Sequence, residues 1–297
     1  MLKLLIADDS ALMRKCLGDI FKAEGDFDVS FARNGAEALA LARSFVPDVI
    51  TLDVNMPEMD GITCLSRIMV ECPKPVVMVS SITSEGAEVT LQALSLGAVD
   101  FIPKPDGTVS LHIDKIKGAL VAKVRCAARA RISKSRGLLE RVRHRAISPQ
   151  GSSRSREGTK SSTGSIRGIV LIGVSTGGPG AIGAIIPRLP HSFDWPILIA
   201  QHMPESFTGV FARRINDLSQ LEVIEVTRPT PLRGGVVYIG RGDADMLVVK
   251  RDGKLAVTPI PASALHNWHP SVERLVTSAT EQVEPGRLVG VMLTGGR

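Results

Sequence analysis

The stretch Leu2-Lys3-Leu4-Leu5-Ile6-Ala7-Asp8-Asp9-Ser10 joins an apolar run to a pair of carboxylates at its end. Over roughly the first 105 residues, similar short runs alternate with longer segments whose apolar residues recur at spacings of three and four. This alternation is typical of a parallel sheet with crossover helices, and we predict five strands in the order 2-1-3-4-5. The strands are expected at Leu2 to Ala7, Phe27 to Ala32, Asp48 to Asp53, Pro75 to Ser80 and Asp100 to Lys104.

Carboxylates fall at the ends of strands that are neighbours in this order. Asp8 and Asp9 end the first strand, and Asp53 ends the third. Three carboxylates at one crevice repel one another unless a cation lies among them, and hard oxygen ligands suit Mg²⁺. Lys104, at the end of the fifth strand, offers an ammonium to a phosphoryl group at the same place. The alternative for Asp9 and Ser10 is that they only cap the next helix.

The first 120 residues or so resemble a response-regulator receiver domain, which has a flavodoxin-like fold. The likeness is carried by Asp8-Asp9, by Asp53-Val54-Asn55-Met56-Pro57-Glu58-Met59-Asp60-Gly61, by Ser80 and by Lys104-Pro105. It implies that Asp53 is the phosphoacceptor and that Asp8, Asp9, Asp53 and the Asn55 carbonyl surround Mg²⁺. It also implies that Ser80, Phe101 and Lys104 respond to phosphorylation, although Phe101 could equally be an ordinary core residue.

A second strand-helix series begins near Ile166 and contains a glycine-rich turn. In Gly173-Val174-Ser175-Thr176-Gly177-Gly178-Pro179-Gly180, an apolar strand runs into a turn that displays Ser175. This arrangement is typical of a nucleophile elbow, in which Thr176, Gly177 and Gly178 could donate N–H groups to an oxyanion. The alternative is a phosphate-binding loop, but the P-loop lysine and Ser/Thr are missing.

A hydroxyl nucleophile needs a base, and the next predicted strand ends in Gln201-His202-Met203-Pro204. The ends of parallel strands share one edge of a sheet, so we predict His202 as the general base for Ser175. His266 and His269 have metal-like spacing without a third ligand, and we expect them to be non-catalytic. The sequence Pro270-Ser271-Val272-Glu273 reads as a helix start.

The second half resembles the CheB family of chemotaxis protein-glutamate methylesterases. The likeness is carried by Gly-Val-Ser-Thr-Gly-Gly-Pro, Gln-His-Met-Pro and His-Pro-Ser-Val-Glu, and a receiver followed by this domain is that family's architecture. It implies a doubly wound α/β esterase domain that hydrolyses glutamyl methyl esters and deamidates glutamines on chemoreceptors. Apart from Mg²⁺ for receiver phosphorylation, it implies no cofactor. The implied partners are a chemotaxis histidine kinase as phosphodonor and methyl-accepting chemoreceptors as substrate.

The family continues its last strand as Thr-Gly-Met-Gly-x-Asp-Gly, whereas this sequence reads Thr294-Gly295-Gly296-Arg297. We therefore expect a domain incomplete at its C-terminus, without the aspartate that orients the histidine, and little esterase activity. Asp243 and Asp245 are weak candidates for a substitute, because Gly240 to Asp245 has the composition of a turn. The alternative function is a non-catalytic signalling or receptor-binding response regulator.

The net charge of +6 is unevenly distributed. Residues 1–122 carry −6, from 11 basic and 17 acidic residues; residues 123–167 carry +11, from 13 and 2; and residues 168–297 carry +1, from 12 and 11. We predict a receiver domain over 1–122, a basic helix and flexible linker over 123–165, and a methylesterase domain over 166–297. A DNA-binding regulator is the reading that the basic segment would favour, but no helix-turn-helix pattern follows it, so we expect no nucleic-acid partner.

The chain has no apolar run long enough to cross a bilayer, and its acidic first residues do not form a secretory signal. We therefore expect a cytoplasmic protein without membrane insertion. Its four cysteines lack a CxxC pair, so disulfides and a zinc-thiolate site are not expected.

Overall fold

A computed structural model describes residues 1–80, 83–104, 109–130, 132, 166–266 and 268–293. The predicted linker, which falls mainly on residues 133–165, and the terminal residues 294–297 lie outside that part of the chain. No helix among the described residues is long and apolar enough to cross a membrane.

The first sheet has five parallel strands in the order β2-β1-β3-β4-β5, as predicted. Each predicted strand is present, with ends that shift by at most one residue. The elements are β1 Leu2–Ala7, α1 Ala11–Ala23, β2 Phe27–Ala32, α2 Gly35–Ser44, β3 Val49–Asp53, α3 Gly61–Glu71, β4 Val76–Ser80, α4 Ser84–Leu96, β5 Asp100–Pro103 and α5 Val109–Ala128.

Side-chain caps fix where the helices of this domain begin. Ser10 accepts a hydrogen bond from the Met13 amide at the start of α1, and Asp60 accepts one from the Thr63 amide at the start of α3. Each cap satisfies an amide that the first turn of a helix leaves without a partner. The capping alternative therefore holds for Ser10, while Asp9 itself is exposed. Asp8 and Asp9 thus lie between the end of β1 and the start of α1, at the carboxyl end of the sheet.

The second sheet is also parallel, with the order β13-β6-β7-β10-β8. Helices lie between its strands, and the helix after the Ser175 turn begins at Gly178 and passes into a 3₁₀ turn at Ile186. The elements are β6 Ile169–Val174, α6 Gly178–Ile185, β7 Ile197–Gln201, α7 Glu205–Leu218, β8 Glu222–Val226, β10 Val236–Gly240, α8 Val272–Gln282 and β13 Leu288–Met292.

A small antiparallel sheet, which the sequence reading did not anticipate, packs beside the second parallel sheet. Its strands are β9 Thr230–Pro231, β11 Ala244–Arg251 and β12 Lys254–Pro261, in the order β11-β12-β9. Asp252 and Gly253 both have positive φ angles, 49° and 73°, and form the tight turn between β11 and β12. Asp245 therefore lies in a strand and not in a turn, which corrects the expectation for Gly240 to Asp245.

The two domains contact each other through helices. Helix α4 contacts both α6 and α7, and Arg214 of α7 donates a hydrogen bond to Ser95 of α4. The apolar residues along this contact form one continuous cluster with the cores of both domains. The receiver-like domain therefore packs directly against the domain that carries Ser175.

Candidate functional sites

The predicted acidic cluster forms at the carboxyl end of the first sheet. Ligand atoms of Asp8, Asp9 and Asp53 all lie within 4.8 Å of one another. The Lys104 ammonium donates to Asp53 Oδ2 at 2.7 Å and lies 3.1 Å from Asp8 Oδ2. The parallel register of β1, β3, β4 and β5 brings these four side chains together from three separate strand ends.

The chemistry of this cluster fits a hard divalent cation. Asp8 Oδ2 is buried and accepts no hydrogen bond from the described residues, despite the nearby lysine charge. Burial raises the pKa of Asp53, and the Asp8 charge adds to that effect against the opposing influence of Lys104. Burial alone would lower the pKa of Lys104, but its hydrogen bond with Asp53 and the two carboxylate charges raise the pKa overall. A cation would relieve the repulsion that remains between the carboxylates.

The predicted switch residues lie next to this cluster. The Ser80 hydroxyl donates to the Gly86 carbonyl at 3.2 Å and is almost fully buried. Phe101, on the neighbouring strand, is 1% exposed. Its ring is covered by the Lys123 ammonium, 5.3 Å from the ring centroid, and by Phe207 of the other domain. Phe101 is therefore buried at the interface between the two domains.

The second site forms at the carboxyl end of the second sheet, where Ser175 and His202 meet. Strands β6 and β7 pair in parallel with Val174 opposite Gln201, so the two residues that follow them leave the sheet side by side. The distance from Ser175 Oγ to His202 Nδ1 is 3.2 Å. This is the contact that general-base activation of a hydroxyl requires.

The tight turn after Ser175 requires glycine, both for its backbone conformation and for its packing. Gly177 has a φ of 76°, in the left-handed region that favours glycine. The Gly178 amide donates to the Ser175 carbonyl at 2.9 Å, so this N–H already serves the turn. Of the three predicted oxyanion donors, the amides of Thr176 and Gly177 therefore remain candidates, and that of Gly178 does not.

Gln201 ties the nucleophile strand to the base strand, a role that the sequence reading did not assign. Its Nε2 donates to the Ser175 carbonyl at 3.2 Å and to the His202 carbonyl at 3.0 Å. The side chain is buried, and a Cβ added at Gly178 would overlap its Oε1 atom. The sequence did contain a signal for this role, because a glutamine stands directly before the predicted base, at the end of a buried strand.

His202 is set up to remain neutral near physiological pH. Burial lowers the pKa of His202 to about 4, and the positive charge of Lys123 and the nearby His269 add to that effect. A neutral imidazole can accept the proton of Ser175, whereas an imidazolium cannot. Lys123 lies in α5, a single helix that continues past the predicted boundary at residue 122 to Ala128, so the helix that ends the receiver-like domain influences the titration of the candidate base in the other domain.

Asp245 was a weak candidate for the carboxylate that orients His202, but it forms hydrogen bonds with other residues. It accepts hydrogen bonds from His269 Nδ1 at 2.9 Å, from the Ser271 amide at 2.7 Å and from the Arg274 guanidinium at 2.6 Å. Burial would raise the pKa of Asp245, but these hydrogen bonds lower it overall. Asp243, two residues earlier, lies in the turn before β11, where its carboxylate accepts a hydrogen bond from the Glu205 amide.

The segment that Asp245 holds carries Trp268, which the sequence reading missed. The rings of Trp268 and His202 are stacked, with centroids 5.7 Å apart and an interplanar angle of 14°. His266, two residues earlier, lies 3.6 Å from Glu273 Oε2. His266 and His269 thus bind carboxylates in the described structure. A tryptophan beside an HxxH pair, in a protein with two tryptophans, was the signal available in the sequence.

The receiver-like domain lies against the Ser175 turn. A Cβ placed on Gly177 would be 3.9 Å from the carbonyl oxygen of Val99, the residue that precedes β5. The Lys123 charge also lowers the pKa of His202, so two parts of the first half of the chain lie near the second site. The turn and the base therefore lie beside the domain interface.

Comparison with known proteins assigns a family to each half of the chain. Residues 4–114 match the response regulator receiver domain model, and residues 170–297 match the CheB methylesterase model. Protein-glutamate methylesterase/protein-glutamine glutaminase 3 of Rhodospirillum rubrum is 56% identical over 300 aligned residues, which cover 99% of this chain and 80% of the relative. The chain belongs to the CheB methylesterase family.

Two solved structures of this family align with the separate halves of the chain. The CheB methylesterase catalytic domain of Thermotoga maritima is 36% identical, with a TM-score of 0.41, and the alignment covers 43% of this chain and 67% of that one. The response regulator domain of Thermotoga maritima CheB is 45% identical, with a TM-score of 0.42, and covers 44% of this chain and 98% of that one.

Proposed function

We propose that this CheB family member hydrolyses glutamyl methyl esters, and deamidates glutamines, on methyl-accepting chemoreceptors during chemotactic adaptation. The observation that carries the proposal is the 3.2 Å contact between Ser175 Oγ and His202 Nδ1. The name of the Rhodospirillum rubrum relative describes the same two activities. We assign the receiver to residues 1–122, a basic helix and linker to 123–165, and the methylesterase domain to 166–297. The histidine kinase and the receptor tails would both be met in the cytoplasm.

The chemistry is acyl transfer through a serine. His202 takes the proton of Ser175 as the hydroxyl oxygen attacks the γ-carbonyl carbon of the glutamyl ester, and the Thr176 and Gly177 amides stabilise the resulting oxyanion. The histidine then returns the proton to the leaving methoxide, so methanol departs and an acyl-serine remains. Water, activated by the same imidazole, releases the free carboxylate. An amide substrate follows the same path with ammonia as the leaving group.

Two assays test this reaction. Methanol release from a methylated chemoreceptor should exceed the level of the Ser175→Ala and His202→Gln variants. A fluorophosphonate probe should label Ser175, as identified by mass spectrometry, and labelling should fall strongly in His202→Gln because the base is lost. The probe reports nucleophile reactivity even where turnover is slow. Methanol release that persists in Ser175→Ala would contradict the proposal, and receptor binding without hydrolysis or labelling would favour the non-catalytic alternative.

We also propose that Asp53 accepts a phosphoryl group from a chemotaxis histidine kinase. Asp8, Asp9, Asp53 and the Asn55 carbonyl would hold Mg²⁺, which would offset the negative charge that accumulates around the phosphoryl group. Lys104 would bind a phosphoryl oxygen in place of its present contact with Asp53. The new oxygens would attract the Ser80 hydroxyl, which would leave space for the Phe101 ring to turn inward.

Phosphorylation would then control access to Ser175. The unmodified receiver lies beside Gly177 and His202, and Phe101 contributes to the interface through its stack with Phe207. A Phe101 ring that turns into the receiver would give up that stack and weaken the interface. The esterase would thus be inhibited until its receiver is phosphorylated.

A further inference from the structure

Trp268 covers the candidate base without being part of the predicted reaction chemistry. Its ring is within 14° of parallel to the His202 imidazole, at a centroid distance of 5.7 Å. The side chain remains 39% exposed, so one part faces His202 and another faces solvent. A parallel ring at this distance restricts how the imidazole can rotate. It also lies within the range over which an aromatic face attracts a cation.

A buried carboxylate fixes the segment that carries this ring. The Asp245 side chain is fully buried and accepts four hydrogen bonds, from the Ser263 amide, His269 Nδ1, the Ser271 amide and the Arg274 guanidinium. Ser263 precedes Trp268 and the other three donors follow it, so Asp245 holds both sides of the segment. We refer to Asp245 and these four donors as the Asp245 anchor.

We propose that Trp268 is a positioning residue for His202, held in place by the Asp245 anchor, and that it stabilises the imidazolium that forms during acyl transfer. This inference rests on the proposed function for its catalytic consequence, but the contact itself can be tested without turnover. In the resting site the indole holds the plane of the imidazole so that Nδ1 faces Ser175. When His202 takes the serine proton, the indole face attracts the new positive charge of the half-buried imidazole.

The contact can be observed through fluorescence, because the chain has two tryptophans and Trp195 can be replaced. In a Trp195→Phe background, Trp268 is the remaining indole, and a protonated imidazole quenches indole emission on contact. We expect the emission to fall on acidification with a midpoint near the His202 pKa of about 4. His202→Gln should remove this transition, whereas His266→Gln should retain it. Circular dichroism recorded in parallel separates quenching from acid unfolding.

The catalytic consequence is tested by substitutions at Trp268 itself. Trp268→Leu keeps an apolar side chain but removes the aromatic face, and Trp268→Phe keeps a weaker one. Because the interaction should be stronger in the transition state than in the ground state, kcat should fall about 3- to 10-fold in the leucine variant, with KM little changed. The phenylalanine variant should recover part of that loss.

The Asp245 anchor is tested by replacing Asp245 with asparagine. The control is the same replacement at Asp243, which removes the same charge. Asp245→Asn turns one acceptor oxygen into a donor that faces other donors, so we expect the quenching transition to be lost and kcat to fall. Asp243→Asn makes the same change two residues away, at an exposed turn, and should alter neither. Arg274→Gln is a milder second variant, because it removes one donor and leaves the His269 contact in place. It should give an intermediate loss in a folded protein.

The outcomes separate this inference from the proposed function. A quenching transition that survives His202→Gln, or a kcat unchanged in Trp268→Leu, would overturn the positioning role while leaving the esterase proposal intact. A normal transition in a protein that releases no methanol and is not labelled at Ser175 would instead count against the esterase.

Discussion

The Phe101 ring of the receiver stacks on the Phe207 ring of the esterase domain, with centroids 4.4 Å apart and planes inclined by 22°. Phe101 is one of the three residues that the resemblance to receiver domains implies respond to phosphorylation, and Phe207 lies in α7, the helix that follows His202. The stack thus connects the two candidate sites through one aromatic pair.

Phe207→Leu should raise the basal activity of the unphosphorylated protein. Leucine keeps an apolar contact but loses the ring interaction, which is worth about 0.5–1.5 kcal/mol beyond burial. If the receiver blocks Ser175, weakening the interface by that amount should increase methanol release about 2- to 10-fold. Phe21→Leu is the matched control, because it removes a ring pair with Phe27 inside the receiver, at 5.0 Å. An equal increase in both variants would show that general destabilisation is responsible.

Asp53→Asn should make the esterase insensitive to a small-molecule phosphodonor. The amide cannot form the acyl phosphate, so Phe101 would remain against Phe207 and hydrolysis would stay at its basal rate. Asp60→Asn, in the same segment, changes the cap of α3 to another good capping residue and should preserve the response. Hydrolysis with and without phosphodonor measures the effect, and stimulation that survives in Asp53→Asn would contradict receiver control.

Lys123→Gln should raise the pKa of His202. The pKa is held at about 4 mainly by burial, with the Lys123 charge as the next cause, so removing that charge should move it partway toward 6.5. Lys117→Gln removes a charge from the same helix, where the lysine faces Glu24 at 3.8 Å, and should leave the His202 pKa unchanged. An NMR titration of the His202 ring gives both values, and equal pKa values in the two variants would exclude a specific Lys123 effect.

The low pKa of His202 also predicts how stability depends on pH. Between about pH 4 and 6.5 the unfolded chain binds a proton at this position that the folded chain does not, so the free energy of unfolding should increase with pH through that window. His202→Gln should show a shallower slope there, since the glutamine does not titrate. Urea unfolding at a series of pH values measures the slope, and identical slopes would mean that the folded pKa is close to the ordinary one.

Gly178→Ala should disrupt the site, whereas Gly180→Ala should not. An alanine Cβ at Gly178 would overlap the Gln201 amide, which holds the carbonyls of Ser175 and His202, so hydrolysis and stability should both fall. A Cβ at Gly180 meets nothing within 4 Å, and alanine in the helix should stabilise the protein by up to about 1 kcal/mol. Thermal unfolding and probe labelling distinguish the two variants, and normal labelling of Gly178→Ala would refute the proposed role of Gln201.

The two clusters of side chains at the strand ends were predictable from the sequence, because parallel strand ends share one edge of a sheet. This rule predicted that Asp8, Asp9, Asp53 and Lys104 lie together, and likewise that Ser175 lies beside His202. The 2-1-3-4-5 order is confirmed by the pairing of the first sheet. These predictions needed only apolar runs, their ends and a known rule of topology.

The antiparallel sheet was missed although one local signal was present. Arg251-Asp252-Gly253-Lys254 contains the Asp-Gly pair that favours a two-residue hairpin, and the chain does turn there with positive φ angles. Without the partner strand Lys254–Pro261, Asp245 looked like part of a turn rather than a buried strand residue. Its role emerged only from contacts with residues about 18 to 29 positions away.

The aromatic contacts could not be predicted for a different reason. Trp268 stands out in the sequence beside His266 and His269, but no spacing relates it to His202, and none relates Phe101 to Phe207. Such contacts depend on how finished elements pack and not on the pattern within any one of them. Local patterns therefore gave the strands and their ends, while the interface and the ring over the base required coordinates.

Because Val174 pairs with Gln201 in the sheet register, Ser175 and His202 are already in contact while the receiver lies against them. Activation would therefore require no rearrangement of Ser175 and His202, only separation of the receiver from them. The response time of such a device is limited by how quickly two folded bodies separate. Under the proposed inhibition, a damaged interface would expose the Ser175–His202 pair, so mutations there would cause unregulated signalling instead of lost signalling.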